Sequence, residues 1–261
     1  MQILNLDNVC LTYFSSNGET EALKNLSFGV NAGDFVSIVG PSGCGKTTIL
    51  SLISGLIKAT KGKITINNQE DKSSFVGYMF QKDNLFEWKT ILGNVYLGLE
   101  IQKRKTKENI EYVNALLKKY NLWEFRNKYP KQLSGGMRQR VALIRTLALK
   151  PHILLLDEAF SALDYQTRLS VCDDVYNIIK EEKVTAILVT HDISEALSLS
   201  DKIVILTKRP ATVKKELVLN LQSLGTPLQR RESKEAKQYF DEIWKELQWK
   251  IKILLKNMLF I

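Results

Sequence analysis

The sequence predicts an α/β fold with a mostly parallel sheet, and three observations carry that expectation. Apolar Phe35-Val36-Ser37-Ile38-Val39 reads as a buried strand, and the glycine-rich loop after it opens a helix. Residues 151–206 alternate strands and helices, the pattern of right-handed crossovers between parallel strands. Between them, from about 82 to 150, the pattern turns helical, as expected of an inserted helical subdomain.

Residues 3–39 alternate in the manner of strands (Val9, Leu11; Leu26, Phe28, Val30), with a turn at Ser15-Ser16-Asn17-Gly18. The loop Gly40-Pro41-Ser42-Gly43-Cys44-Gly45-Lys46-Thr47-Thr48 fits the phosphate-loop pattern G-x-x-x-x-G-K-[ST]. Its glycines let consecutive backbone N–H groups wrap a triphosphate, Lys46 reaches the β and γ oxygens, and the Thr47 hydroxyl sits on Mg²⁺. The helix that starts there points its positive end at the phosphates. Its apolar residues follow in Thr48-Ile49-Leu50-Ser51-Leu52-Ile53, and Ile64-Thr65-Ile66 is a further short strand.

Phe75-Val76-Gly77-Tyr78-Met79-Phe80 reads as a strand ending at Gln81. Glu108 to Tyr120 puts Ile110, Val113, Leu116 and Leu117 on one helical face. Leu133-Ser134-Gly135-Gly136-Met137-Arg138-Gln139-Arg140 leads into an apolar helix, so a hydroxyl and bare N–H groups face an anion. Ile153-Leu154-Leu155-Leu156-Asp157-Glu158 is a buried strand ending in two carboxylates. One suits Mg²⁺ held through water, the other an attacking water. Thr190-His191-Asp192 ends the strand Thr185–Val189, with Asp192 and Glu195 spaced as a capping pair for the next helix. His152, the other histidine, reads as a loop residue. Val213 to Leu221 reads as an edge strand. Ser233 to Gln248 reads as an amphipathic helix with Ala236, Tyr239, Phe240, Ile243, Trp244 and Leu247 inward. The tail Trp249 to Ile261 is apolar with interspersed lysines, suited to packing on the domain, on a partner or on a membrane surface.

The phosphate loop, the Ser134-Gly135-Gly136 stretch and the Asp157-Glu158 pair, in this order, resemble the ATP-binding cassette (ABC) ATPases. The resemblance covers roughly residues 3 to 220. It extends to Gln81 as the glutamine loop, Ser161-Ala162-Leu163-Asp164 as the D-loop, His191 as the switch histidine and Tyr13 as the aromatic stacked on adenine, with Phe14 as an alternative. It implies a phosphate-loop NTPase with a RecA-like core, an antiparallel β subdomain and the helical insertion. The ATPase domain would span 1–225 and a helical tail 226–261. Ala159 stands where these proteins usually carry proline, and Met137 where many carry glutamine; neither change removes a charge or a phosphate donor.

The roles implied are ATP binding by Tyr13, the 40–48 loop and, from a second copy, Ser134, Gly135, Gly136 and Asp164. Thr47, Gln81 and Asp157 would organise Mg²⁺, Glu158 would activate water, and Lys46, Gln81 and His191 would complete catalysis. One phosphate loop per chain means half of each site, hence a dimer.

Two jobs fit such an ATPase: motor of a transporter, or a soluble ATPase working on nucleic acid or ribosomes. Only about fifty residues separate Gln81 from Ser134, with no room for the long coiled coil of repair members, and translation members carry two cassettes. Glu87-Trp88-Lys89-Thr90, Asn94-Val95, Leu97-Gly98-Leu99-Glu100, Ala162 to Arg168, Lys208-Arg209-Pro210 and Glu242-Ile243-Trp244 are similar to the nitrate, sulfonate and taurine importers. Glu87 departs from that group's proline. The resemblance implies membrane permease subunits met by residues 81–90, an extracytoplasmic solute-binding protein, and a place at the cytoplasmic face of the membrane.

Bulk properties fit. A chain of 261 residues buries an ample core. The net charge of +9 is spread along the chain without interleaved aromatics, so nucleic acid is not the expected partner. No signal segment or span-length apolar run is read, and Cys10, Cys44 and Cys172 lack metal or disulfide spacing, as in a reducing cytoplasm. Cys44 inside the phosphate loop predicts sensitivity to thiol reagents.

Overall fold

The structure is a computed structural model that describes residues 1–16, 18–66 and 76–258, with side chains described up to residue 247. Asn17 and Phe75 therefore lie outside the described residues, as do the side chains of the tail read from Trp249 onward. In chain order the elements begin with strands β1 (Gln2–Ser15), β2 (Gly18–Asn31) and β3 (Phe35–Val39), helix α1 (Lys46–Ile53) and strand β4 (Lys61–Ile66). Strand β5 (Val76–Met79), helices α2 (Ile91–Ile101), α3 (Lys107–Lys119) and α4 (Gly135–Leu147), strand β6 (Ile153–Asp157), helix α5 (Tyr165–Glu181) and strand β7 (Thr185–Val189) follow. The chain closes with helix α6 (Ile193–Leu199), strands β8 (Lys202–Leu206) and β9 (Val213–Val218), and helices α7 (Pro227–Glu232) and α8 (Lys234–Met258).

The chain forms two compact units. The first comprises Met1–Glu70 and Val189–Ile261. Its antiparallel sheet has the order β2-β1-β4, with Leu4 opposite Val30 on one side and Ile66 on the other. The period-two alternation read in the first forty residues thus sets the register. β3 runs parallel to β8, with Ile38 opposite Val204, and β8 pairs antiparallel with β9. All five residues of β3 are buried, the continuous apolar run expected of a strand covered on both faces. A cluster of Val39, Ile193, Leu197, Ile203, Ile205, Leu217 and Ile243 seats α6 and α8 on these strands. Within α8, Ala236 and Ile243 are buried as expected. Trp244 is 48% exposed and stacks on Phe240, at 6.1 Å between ring centroids, and does not point into the core.

The second unit is Asp71–Leu188. Its strand order is β5-β6-β7, with β5 and β6 parallel and Tyr78 opposite Leu155. Helices α2, α3 and α4 occupy the stretch read as helical. α3 buries Val113, Leu116 and Leu117, with Ile110 half-buried. Thr106 caps α3 through its side chain, accepting from the Asn109 N–H at 3.3 Å, and Glu108 and Lys118 complement the helix dipole. Among the described residues no helix is long and apolar enough to cross a membrane.

Candidate nucleotide site

In the first unit, β3 delivers the phosphate loop to the start of α1. Gly45 is the N-terminal cap of α1 and has φ of +116°, a conformation that a side chain resists, so the final glycine of the motif is required by backbone geometry. No side chain caps this helix and no acidic residue occupies its first turn, so its first N–H groups face the loop concavity. Lys46 is buried, and its ammonium donates to the carbonyls of Gly40 (3.0 Å) and Pro41 (3.1 Å). A cation thus stands inside the ring of amides that a phosphate would enter.

The neighbours of the loop were not all legible in the sequence. Arg209 Nη2 donates to the Gly43 carbonyl at 2.9 Å. The Tyr13 hydroxyl lies 3.3 Å from Thr48 Oγ1. Adjacent strand residues point to opposite faces, so this contact places Tyr13, 45% exposed, beside α1, while Phe14, 68% exposed, faces the other way. Cys44 is buried beneath the loop, and burial pushes its thiol above the ordinary range despite the opposing pull of Lys46. The expected thiol sensitivity has no accessible thiolate to rest on.

His191, exposed, follows Thr190, whose N–H donates to the Ile38 carbonyl (3.4 Å) two residues before Gly40. Asp192 caps α6 by accepting from the N–H groups of Ser194 (2.8 Å) and Glu195 (3.2 Å). Glu195 does not close the expected capping pair. Its buried carboxylate accepts from the Thr190 hydroxyl, which itself accepts from the Asp192 N–H at 3.0 Å. The buried acid thereby fixes the turn that carries His191.

In the second unit, β6 ends at Asp157, and Tyr78 on β5 donates its hydroxyl to Asp157 Oδ2 at 2.9 Å. Burial and the Asp157 charge push the Tyr78 phenol well above its ordinary range, so it stays a donor. Glu158 has φ of +47°, the left-handed region that a glutamate adopts only where the surroundings impose it. Its carbonyl accepts from both the backbone N–H (3.0 Å) and the hydroxyl (2.9 Å) of Ser161. Gln81 Nε2 donates to Ser161 Oγ at 3.1 Å, so the glutamine loop and the acid pair share one hydroxyl. Ala159, where proline is usual, is fully buried.

Ser134 caps α4, its hydroxyl accepting from the Met137 N–H at 3.3 Å. A Cβ at Gly136 would meet Val171 Cγ2 at 2.9 Å, so α4 crosses α5 too closely for any larger residue. Gly135 lies beside Leu163, just before Asp164, which caps α5 by accepting from the Thr167 N–H at 3.0 Å. The Thr167 hydrogen bonds hold the Asp164 carboxyl below its ordinary range. The structure thus gathers Tyr13, the loop and the His191 turn in one unit. Gln81, Asp157 and Glu158, and the Ser134–Gly136 and Asp164 caps, gather in the other. Among the described residues no three His, Cys, Asp or Glu side chains form a metal cage.

The family model described as "ABC transporter" matches residues 23–161. The uncharacterized ABC transporter ATP-binding protein YtlC of Bacillus subtilis (strain 168) is 46% identical over 250 residues, covering 95% of this chain and 96% of its own. The aliphatic sulfonates import ATP-binding protein SsuB of Bacillus cereus (strain ATCC 10987 / NRS 248) is 39% identical over 239 residues, 90% of each chain. Among solved structures, the dimeric post-hydrolysis state of the ATP-binding cassette MJ0796 bound to ADP and Pi superposes with a TM-score of 0.70. It shares 35% identity and covers 84% of this chain and 99% of its own.

Proposed function

The chain belongs to the ABC transporter family as an ATP-binding protein whose ATP hydrolysis is coupled to transport, and on that premise we propose that it is the motor of an importer for a small solute of the sulfonate, nitrate or taurine type. The observation that carries the importer reading is the 82–90 segment. Trp88 in it is 73% exposed and lies against Phe86, at 4.9 Å between ring centroids, an aromatic surface for a helix of a membrane permease. The Trp88-Lys89-Thr90 sequence there, and the likeness to a sulfonate import protein along nine-tenths of the chain, support the same group.

In the proposed mechanism two copies face each other, so that the phosphate loop of one and the Ser134–Gly136 helix start of the other close on each ATP. Lys46 leaves the Gly40 and Pro41 carbonyls for the β and γ oxygens, and the α1 amides hold the phosphates. Tyr13 stacks on the adenine. Thr47, Asp157 and Gln81 would hold Mg²⁺, which would supply positive charge against the phosphates. Glu158 orients and deprotonates the attacking water, and His191 holds the γ-phosphate and links it to Asp164 of the second copy. Closing with ATP and reopening after hydrolysis would drive the permease.

The test is affinity capture of Glu158→Gln with ATP from detergent-solubilised host membranes, read by mass spectrometry. A multi-span permease in the eluate is the expected result, and its solute-binding partner leads to the cargo. Ribosomal or nucleic-acid proteins without a membrane subunit would reject the importer reading.

A further inference from the structure

Five side-chain hydrogen bonds leave one face of α4 for the loop after Gln81. Arg138 Nε donates to Asp83 Oδ2 at 2.8 Å and its Nη2 to Asp83 Oδ1 at 3.1 Å. The same Nη2 reaches Glu87 Oε1 at 2.8 Å. Two helical turns further on, Arg145 donates to the backbone carbonyls of Asn84 and Asp83, both at 2.7 Å. Residues seven apart share a helix face, so the two guanidinium groups grip one loop from one side. Planar guanidinium forks fix orientation as well as distance, which single ammonium contacts do not.

From the other side the loop is held by α2. The buried Asn94 accepts from the Phe86 N–H at 2.7 Å and donates to the carbonyls of Phe86 and Lys89, both at 3.1 Å. Residues 83–89 therefore have a fixed shape, with Leu85 buried and Trp88 outward. Glu87 stands at the position where the importer group has proline, and Arg138 accounts for its charge. Glu87 Oε2 is buried with no hydrogen-bond partner among the described residues, an arrangement that costs stability.

Arg138 lies four residues after Ser134, one turn into the helix whose start presents that serine. We propose that Arg138 is a positioning residue: through Asp83 and Glu87 it locks the 83–87 loop to α4, so that the loop sets how Ser134 and Gly136 meet the ATP held by a second copy. The inference rests on the reading of Ser134 as the surface met by that copy. It gives the Trp88 segment a direct mechanical route to the ATP sandwich, within one unit of the fold.

The test uses the full chain carrying Glu158→Gln, which under the proposed mechanism should hold the ATP-bound dimer closed, with dimer fraction against ATP concentration read by size exclusion. Arg138→Ala and Glu87→Ala should each raise the ATP concentration at half-dimerisation about fivefold or more. ATP affinity measured at protein concentrations that keep the chain monomeric should not change. Arg138→Lys should recover only part of the loss, since an ammonium cannot reproduce the fork. Ser134→Arg is the control for the underlying reading. If it dimerises normally, that reading fails and the inference with it. If it fails to dimerise while Glu87→Ala and Arg138→Ala match the parent, the inference alone is overturned. A parallel loss of monomer ATP affinity would also overturn it, because the defect would then be general. Glu87→Ala keeps the test open should Arg138→Ala not fold, because Asp83 and Arg145 still hold the loop.

Discussion

Tyr78 and Asp157 are joined across neighbouring parallel strands by a 2.9 Å hydrogen bond from the phenol to Oδ2, which fixes the carboxylate at the tip of β6. A hydrogen bond to a charged group contributes about 1.5–3 kcal/mol. Tyr78→Phe should therefore leave the fold intact and weaken the hold on the Asp157 carboxylate. The expected result is a roughly tenfold rise in the Mg²⁺ concentration needed for half-maximal ATPase, with kcat at saturating Mg²⁺ much less affected. An unchanged Mg²⁺ dependence would mean that the Tyr78 hydrogen bond does not position Asp157 for the proposed metal site.

The left-handed backbone of Glu158 makes a second prediction about the same turn. Such a conformation costs about 1–3 kcal/mol for a residue with a side chain. Two hydrogen bonds from Ser161 to the Glu158 carbonyl oppose that cost. Ser161→Ala removes the hydroxyl bond and also the acceptor of Gln81. ATPase turnover should fall about tenfold while ATP affinity of the monomer stays within twofold. Glu158→Gly should abolish turnover yet raise the melting temperature, because glycine accepts φ of +47° without strain. A Glu158→Gly protein that melts lower than the parent would contradict the strain.

Much of this site was legible because its chemistry is written in local spacing. The phosphate loop needs glycine at Gly45 for φ, and the strand before it needs an unbroken apolar run, so both the motif and its setting appear within fifteen residues. Ser134 was legible as a helix start, since a short polar residue before an apolar helix is a common cap, whereas Asp164 entered through the family resemblance and its capping of α5 came from the structure. Tyr78, Ser161, Arg138 and Arg209 were not singled out. Each acts through a partner distant in sequence or through a backbone carbonyl, and neither leaves a pattern in spacing. Glu195 was misread for the same reason, as local spacing offered the Asp192 N–H while the fold offered the Thr190 hydroxyl. The amphipathic reading of α8 placed Trp244 inward because periodicity alone does not show where the packed face ends.

Cys44 illustrates how burial overrides position. A thiol in a phosphate loop invites the expectation of inactivation by alkylation, but reactivity belongs to the thiolate, which burial disfavours here. N-ethylmaleimide at neutral pH should label the half-buried Cys10 first and leave Cys44 unmodified, with ATPase activity retained. Mapping the adducts by mass spectrometry decides it. Rapid loss of activity that ATP protects against, with the adduct on Cys44, would mean that the loop opens far more readily than its packing implies.

Asp83 gives the fold a defined acid response. Burial alone would raise its carboxyl, but the hydrogen bonds from Arg138 and the Leu85 N–H, with the charges of Arg138 and Arg145, hold it below its ordinary value of 3.8. A carboxylate whose folded value is depressed adds stability above its unfolded value, and that contribution vanishes as pH falls through the folded one. Asp83→Asn should thus melt below the parent at pH 6 to 7. The gap should narrow as pH drops below 3.8, where the parent too must protonate Asp83. The guanidinium groups keep their charge throughout this range, so the titration belongs to the acid. Melting curves of the two proteins at matched ionic strength between pH 3 and pH 7 make the comparison. A gap that stays constant across the series would mean that Asp83 contributes through its shape alone and that its charge is not what ties the loop to α4.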